Sequence, residues 1–562
     1  MRPMNMKKTN SMTRLLLAPM VALLLTATAA YAAAPGITGG AGATATFNLT
    51  AQPAYLSQPD GAAVYSWGYG CNGAPSGYAP AAITGAFCNP MQVPGPTLIV
   101  TEGQTVTVRL TNSLPAAAGN TSILFPGFVL QAFTDGVAGL LTQEAAPGQT
   151  VTYRFTASSP GTRAYYSGTQ GDLQVEMGLY GAIIVLPASV PSECTSGLRA
   201  ANLAVEALWH EADYRLAPAA YDHPKSCYDR EYMFQFSEMD PRIHRQAEEQ
   251  VLAKVGCTAG APGCSLEVAT EPYHPAYFLI NGRSMPDDMD ANYATQYPHQ
   301  PYNGDPHMHA GELALIRVIG QGRWQHPFHE HANHVRTLAR DGNLILSATN
   351  ANDLAGPVLF TTSTVPGQAT DGIFYFTGRG LNWDMYGHNP ASSDANATLP
   401  CYPDANGYNT GFNTSGVLTH PEVRSAINYY EWCQDHNKAL EVAPFGDLPS
   451  GGPATLPDPN ILTNGPWYSG SPYLGPDATA RATFGTCTGT GTSTQCGTTG
   501  TTPPSGTIAN SPSTEAGFAY MWHSHNERAL LPQAHEEKNP QRGRGGRRTQ
   551  AGRDRLDDAQ EQ

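Results

Sequence analysis

The chain has 562 residues, a formal net charge of −15 and only 14% charged side chains. An acidic chain of this kind is a poor match for nucleic acid or an anionic lipid surface, both of which attract basic proteins. Glycine and proline are abundant, with 58 and 46 copies, which is typical of a turn-rich, all-β protein.

The N-terminus has the three parts of a secretory signal peptide. The basic leader MRPMNMKKTNSMTR precedes the apolar run LLLAPMVALLLTATAA and a small-x-small cleavage site at 30–32. The apolar run is too short to be a stable span, so we predict that residues 1–32 are removed on export to the periplasm or the extracellular medium. We expect no membrane insertion of the chain after that removal.

Residues 40–190 are predicted to form a first β-sandwich. Short alternating segments without helical period recur there, bounded by Gly, Pro or Asn. They are ATFNLTA, PTLIVTEGQTVTVRLTN, QTVTYRFTA, GTRAYYSG and GLYGAIIVLP. Residues 191–270 are predicted to connect this domain to the next, and the charged segment RIHRQAEEQVLAK within them has a helical composition.

Residues 271–532 are predicted to form a second domain. Strand patterns resume at AYFLINGRSMP, ELALIRVIG, RTLARDGNLIL and GIFYFTGRG, and GFAYMWHSH closes the pattern. Between them, residues 384–515 are rich in Gly, Pro, Asn and Thr, which indicates a long insertion of loops. Residues 533–562 have almost no apolar side chains and are predicted to be a disordered tail.

The ten cysteines are expected to form disulfides, because their number is even and the compartment is oxidising. Sequence alone leaves the connectivity open. Pairing between sequence neighbours is the simplest hypothesis, and it gives Cys71–Cys88, Cys194–Cys227, Cys257–Cys264, Cys401–Cys433 and Cys487–Cys496.

Two His-x-His segments are the strongest chemical signal. His329 and His331 lie in QHPFHEHANH, and His523 and His525 lie in MWHSH. Strand side chains alternate, so each pair points to one face, and two such strands side by side would converge four imidazoles. Such an all-nitrogen site suits Cu(II) when it is tetragonal and Zn when it is tetrahedral.

The chain resembles a multicopper oxidase of the two-domain type. The segments PGPTLIVTEGQTVTVRLTN and GLYGAIIV resemble the first domain of that family, and YFLINGRSMPD, QHPFHEHANH and MWHSH resemble the last. The resemblance implies tandem cupredoxin-like Greek-key β-sandwiches and a copper-dependent oxidoreductase. It implies a type 1 copper ligand at His326, ligands of type 2 and type 3 copper at His329 and His331, and type 3 ligands at His523 and His525.

The chain departs from the family pattern at several ligand positions. Ser524 stands where the family has the type 1 cysteine, and Ala529 stands where a further histidine is expected. The first domain has Leu124 and Pro126 at one His-x-His position and Tyr-Ser-Gly at 166–168 near the other. The resemblance therefore implies a reduced copper inventory, with one mononuclear copper or zinc site and with His326 and His334 as accessory groups.

Two hypotheses for the function follow. In the first, the protein is an exported copper-binding oxidoreductase that takes electrons from a small molecule or a metal ion and passes them to oxygen. In the second, it is a non-catalytic extracellular metal-binding or structural protein that kept the sandwich fold. The composition predicts no nucleic-acid partner, and it leaves the metal count, the choice between copper and zinc, and a homo-oligomer open.

Overall fold

The computed structural model describes residues 33–131, 135–196, 212–308, 312–331, 334–375, 399–426, 429, 431–433, 487–488, 495–496 and 522–525. The predicted signal peptide at 1–32 and the predicted tail at 533–562 lie outside these residues. Most of the predicted insertion at 384–515 also lies outside them. Among the helices of the described part, none is long and apolar enough to cross a membrane.

The first half of the chain forms a sandwich of two sheets. Its strands are β1 (Gly36–Thr38), β2 (Thr44–Ser57), β3 (Ala63–Cys71), β4 (Gly77–Ala79), β5 (Leu98–Thr101), β6 (Thr105–Asn112), β7 (Val137–Ala138), β8 (Gln143–Glu144), β9 (Thr150–Thr156), β10 (Gly161–Tyr166) and β11 (Tyr180–Leu186). One sheet has the order β10-β11-β5-β1-β4 and the other β3-β2-β6-β9, while β7 and β8 form a separate hairpin.

Alternation along the strands builds the core of this sandwich. In β6, Val106, Val108 and Leu110 are fully buried, and the threonines and the arginine between them face outward. Leu98 and Ile183 of the opposing sheet belong to the same apolar cluster. This is the arrangement that a period of two predicts for a strand with one buried face.

The second half forms another sandwich. Its strands are β12 (Arg230–Met239), β13 (Tyr277–Ile280), β14 (Leu313–Gly320), β15 (His326–Glu330), β16 (Val335–Arg340), β17 (Asn343–Leu344), β18 (Val358–Leu359), β19 (Thr361–Thr364), β20 (Ala369–Tyr375) and, after the short pair β21 (Cys487–Thr488) and β22 (Gln495–Cys496), β23 (Trp522–Ser524). The larger sheet runs β13-β12-β14-β20-β16-β17, with β18 beside β16, and the smaller runs β19-β15-β23.

The helices of the described residues are short. They are α1 (Gly171–Gln174) and α2 (Pro241–Ala253), with 3₁₀ turns at Ala116–Ala118, Ser192–Cys194, Asp287–Met289 and Pro421–Ser425. Helix α2 confirms the helical segment expected in RIHRQAEEQVLAK. It begins with Pro241 behind Asp240, whose side chain accepts a hydrogen bond from the Arg242 amide, so both start signals are present.

The connecting segment expected at 191–270 differs from the structure. Strand β12 lies inside this segment and pairs with β13 and β14. The second sandwich therefore begins at residue 230 rather than at 271. All ten residues of β12 are buried, because one face packs in the second core and the other faces the first sandwich. Burial of both faces removes the alternation by which a strand is recognised in sequence.

The prediction of an all-β fold with two tandem Greek-key sandwiches is confirmed. The first sandwich changes sheet between β5 and β6 and returns between β9 and β10. Parallel neighbours such as β2 beside β6 and β5 beside β11 result from these crossings. Such long connections between the sheets agree with the Greek-key arrangement found in most β-sandwiches.

The two sandwiches share a buried contact that includes ions. Ala164 and Ile184 of the first pack against Met233 and Ile319 of the second. At its centre the Arg317 guanidinium donates to Glu231 Oε1 at 2.7 Å and to Thr162 Oγ1 at 2.8 Å, and it lies 3.5 Å from Asp371 Oδ1. Asp371 in turn accepts hydrogen bonds from Thr162 and from the Tyr221 hydroxyl.

Sequential disulfide pairing is confirmed for four of the five predicted pairs. The structure has disulfides Cys71–Cys88, Cys194–Cys227, Cys257–Cys264 and Cys401–Cys433. Cys487 and Cys496 lie opposite each other in the antiparallel pair β21–β22. Their side chains are outside the described part of the chain, so this disulfide stays a prediction.

A buried carboxyl between the sandwiches predicts a pH-dependent stability. Glu176 accepts hydrogen bonds from the Tyr273 hydroxyl and the Asp240 amide, and burial raises its pKa from 4.5 to about 8. The folded state therefore keeps a proton that the unfolded carboxyl releases. The stability that this proton contributes is fully present below pH 4.5 and is lost as the pH rises to about 8.

We expect Glu176→Gln, which mimics the protonated form, to lose less stability than the wild type as the pH rises through this window. The measurement is the melting temperature of both proteins from pH 5 to 9, with the exposed Glu267→Gln as the control. An unchanged pH profile in Glu176→Gln would contradict the prediction.

Candidate metal centre

Two antiparallel strands bring the His-x-His segments together. Strand β23 pairs with β15 so that His523 lies directly opposite His329, and the His525 amide donates to the Pro327 carbonyl at 2.8 Å. Phe328 and Trp522 point into the core of the second sandwich. Because side chains alternate along a strand, His329, His331, His523 and His525 point to the outer face. The expected convergence of four imidazoles on one face is thus what the strand register produces.

The imidazoles are close enough to share one ion. The candidate ligand nitrogens of His329, His523 and His525 all lie within 4.8 Å of one another. The fourth imidazole, that of His331, has its Nε2 atom 3.1 Å from Nε2 of His523. We call these four residues the histidine cluster.

Hydrogen bonds to the backbone orient two of these rings. His329 Nδ1 donates to the Phe360 carbonyl at 2.6 Å and lies 3.0 Å from Thr361 Oγ1. His523 Nδ1 donates to the Ser524 carbonyl at 3.2 Å. Since Nδ1 carries the proton in each ring, Nε2 keeps its lone pair and is the atom that a metal can bind.

The environment also favours the metal-binding form of these rings. Partial burial lowers the pKa of His329 and His523, and the neighbouring His525 lowers both further. A neutral imidazole is the form that ligates a metal. Orientation, protonation and spacing therefore fit an imidazole-ligated ion, and copper or zinc is the ion that such a donor set suits.

His326 lies on the other face of β15. It is buried, and its ring stacks on Phe236 at 5.6 Å between centroids. Its Nδ1 is 3.2 Å from Ser524 Oγ and its Nε2 is 3.1 Å from Glu238 Oε2. The structure therefore separates His326 from the histidine cluster, and hydrogen-bond partners occupy both of its nitrogens.

This separation predicts opposite effects for two histidines of one strand. We expect His326→Ala to keep bound copper but to lower the free energy of unfolding by about 2–3 kcal/mol, because it removes two buried hydrogen bonds and leaves Glu238 Oε2 without its partner. His329→Ala should lose copper and keep its stability. Metal content by mass spectrometry and thermal unfolding of both variants check this, and loss of copper from His326→Ala would contradict it.

The remaining predicted positions are placed as follows. His334 is exposed, and its ring lies 5.8 Å from that of Phe360. In the first sandwich, Leu124 pairs with Tyr166 through its backbone, so the two stretches expected to carry first-domain histidines do meet. The residues at this meeting point are a leucine and a tyrosine, and neither has an imidazole. Ala529 lies outside the described residues.

Three residues around these sites were not predicted from the sequence. Phe360 and Thr361 act through one carbonyl and one hydroxyl, and no sequence pattern marks these groups. Glu238 lies in β12, all of whose residues are buried, and an unpaired charge is unfavourable there. Such a residue indicates a buried polar partner, although not which one.

Comparisons with known proteins give a partial match. A family model described as multicopper oxidase matches residues 83–189, which end before the histidine cluster. L-ascorbate oxidase of Brassica rapa subsp. pekinensis is 37% identical over 122 residues, 21% of this chain and 21% of the relative. Copper resistance protein A of Escherichia coli is 40% identical over 93 residues, 16% of this chain and 14% of the relative.

The chain thus spans about a fifth or less of the length of these curated relatives. Among solved structures, the blue copper oxidase from Nitrosomonas europaea is similar with 19% identity and a TM-score of 0.36, covering 59% of this chain and 75% of that chain.

Proposed function

We propose that the chain is an exported copper-binding oxidoreductase of multicopper oxidase type with a reduced copper site, and the match of a multicopper oxidase model to residues 83–189 supports this. One mononuclear centre would be held by His329, His331, His523 and His525. The observation that carries this proposal is the convergence of the ligand nitrogens of His329, His523 and His525 within 4.8 Å on two paired strands.

A bound copper ion would supply one-electron redox chemistry at this face. The protein's own contribution is to hold the ligands: the Phe360 carbonyl orients His329, and partial burial lowers the pKa of His329 and His523, which favours the neutral form that binds a metal. His525 is exposed, so the outer edge of the cluster is reachable from solvent. The proposed partners are a small-molecule or metal-ion electron donor and oxygen, and a homo-oligomer is compatible with the proposal.

The route through type 1 copper is not part of this proposal. A type 1 site depends on a cysteine thiolate, and Ser524 provides only a hydroxyl. That hydroxyl lies 3.2 Å from His326 Nδ1, at the position where the resemblance implies copper. We therefore propose slow one-electron or peroxide-forming turnover rather than four-electron reduction of oxygen.

The second candidate function is a non-catalytic metal-binding protein of the same fold. This candidate is favoured by the first sandwich, where Leu124 and Tyr166 occupy the stretches in which histidines were expected. All the imidazoles of the proposed site therefore come from the second sandwich. An export signal at 1–32 and a periplasmic or extracellular location are common to both candidates.

The deciding experiment is the metal content and the EPR spectrum of protein exported in the presence of copper. We expect about one copper per chain, a tetragonal signal with nitrogen ligands, no intense blue band, and oxygen-dependent oxidation of a phenol or a metal ion. Zinc alone, or copper without turnover, would favour the non-catalytic candidate. Several coppers with a blue band would contradict both the mononuclear site and the assignment of Ser524.

A further inference from the structure

His331 differs from the other members of the histidine cluster in how its backbone is held. Strand β15 ends at Glu330, the residue that pairs with Trp522 of β23, and His331 follows in a bend. The ligand nitrogens of the other three members lie within 4.8 Å of one another. The strand pairs therefore position three imidazoles directly, whereas the position of the fourth depends on contacts made after β15 has ended.

The indole of Trp522 makes such a contact. Its Nε1 atom donates to the His331 carbonyl at 3.3 Å, one residue beyond the last strand pair. With the backbone placed there, the His331 ring lies 4.6 Å from the His329 ring between centroids, and its Nε2 is 3.1 Å from Nε2 of His523. The hydrogen bond therefore acts at the point where the chain leaves the strand and where His331 joins the cluster.

The core of the second sandwich holds this indole in place. Its ring lies 4.9 Å from the Phe374 ring, 5.9 Å from that of Phe234 and 6.0 Å from that of Phe328 between centroids. These three phenylalanines are buried and belong to β20, β12 and β15. Packing against three strands fixes the direction of the N–H group before any metal binds, as a preorganised site requires.

The fourth imidazole matters more for copper than for zinc. For a site of nitrogen ligands, affinity is higher for copper(II) than for zinc, so replacing an imidazole by water costs copper more. Three histidines and a water are, in addition, a ligand set of catalytic zinc, whereas tetragonal nitrogen ligation suits copper(II). Whether His331 is held within the cluster therefore affects the choice of metal.

We propose that Trp522 is a positioning residue that holds His331 as the fourth ligand and thereby favours copper over zinc at the histidine cluster. Trp522 packs on the inner face of the sheet and acts on a ligand of the outer face through the His331 carbonyl. This inference rests on the proposed metal centre, and it assigns the choice of metal to a side chain that is not itself a ligand.

Trp522→Phe tests the proposal in the full-length chain, because phenylalanine keeps an aromatic ring in the core and removes the N–H donor. We expect the affinity for copper(II) to fall about tenfold, which is within the usual effect of removing a group that orients a ligand. The affinity for zinc should fall less, so selectivity for copper over zinc should decrease. Competition titrations with a chelator measure both dissociation constants, and EPR of the copper-loaded protein should show one nitrogen ligand fewer.

Trp324→Phe is the matched control. The Trp324 ring packs against those of Tyr273 and Phe278, at 5.7 and 6.0 Å between centroids. This variant makes the same substitution close to His326, which the structure separates from the histidine cluster. We expect both metal affinities and the EPR spectrum to stay those of the wild type.

A second replacement removes the donor without changing the shape of the ring. Benzothienylalanine incorporated at position 522 has a sulfur atom in place of the indole N–H and fills the same space in the core. We expect the same loss of copper affinity as in Trp522→Phe, which also covers the case in which that variant does not fold. Wild-type copper affinity and an unchanged EPR spectrum in this protein would overturn the proposal.

Metal-free protein separates this proposal from the proposed function. Carbethoxylation by diethyl pyrocarbonate, followed by peptide mass spectrometry, reports how accessible each imidazole is. We expect His331 to react faster in Trp522→Phe than in the wild type, and His525 to react equally fast in both. An unchanged rate at His331, or equal losses of copper and zinc affinity, overturns the proposal. A wild type that binds neither metal refutes the metal centre, and the rate at His331 then decides the positioning role.

Discussion

Replacing His523 with alanine is expected to weaken copper binding by at least about 100-fold and to abolish oxidase turnover. His523 lies opposite His329 in the strand pair, and its Nε2 lies 3.1 Å from Nε2 of His331. Loss of groups that merely orient a ligand costs about 10–100-fold in affinity, so loss of a ligand itself should cost at least as much. Copper titration and oxygen-consumption assays on the folded variant measure both effects.

His334→Ala is the matched control, because it removes an exposed imidazole of the same histidine-rich segment that contacts the Phe360 ring. We expect it to bind copper like the wild type. Equal losses in His334→Ala and His523→Ala would mean that copper binds across the whole segment rather than in the histidine cluster.

Replacing Arg317 with methionine should lower the free energy of unfolding by about 3–5 kcal/mol. Arg317 is fully buried between Glu231 and Asp371, and it also donates to Thr162 of the first sandwich. Methionine fills much of the same volume but leaves two buried carboxylates without their cation. Because that network joins both sandwiches, we expect the loss to appear in the unfolding of the whole molecule.

The control for this prediction is an ion pair at the surface. Lys225 lies 2.5 Å from Asp353 with both side chains about half exposed, and water screens such a pair. We expect Lys225→Met to leave the melting temperature unchanged. Chemical denaturation of both variants measures the difference, and an Arg317→Met protein as stable as the wild type would contradict the prediction.

Some histidine assignments could be read from the sequence and others could not. The spacing His-x-His determines that His329 shares a face with His331, and His523 with His525, whatever surrounds them. The same rule separates His326 from His329, since three residues lead to the opposite face of a strand. The resemblance had included all five in one copper inventory, and the partners of His326, namely Ser524 and Glu238, became visible only from the strand pairing.

The sequence by itself determined the all-β fold and the common face of each histidine pair. These features follow from the local spacing of residues, which does not depend on distant parts of the chain. The tertiary structure decided that β12 belongs to the second sheet, that Glu238 hydrogen-bonds His326, and which cysteines pair. These relations join residues far apart in the chain, where backbone hydrogen bonds and packing, rather than periodicity, select the neighbours.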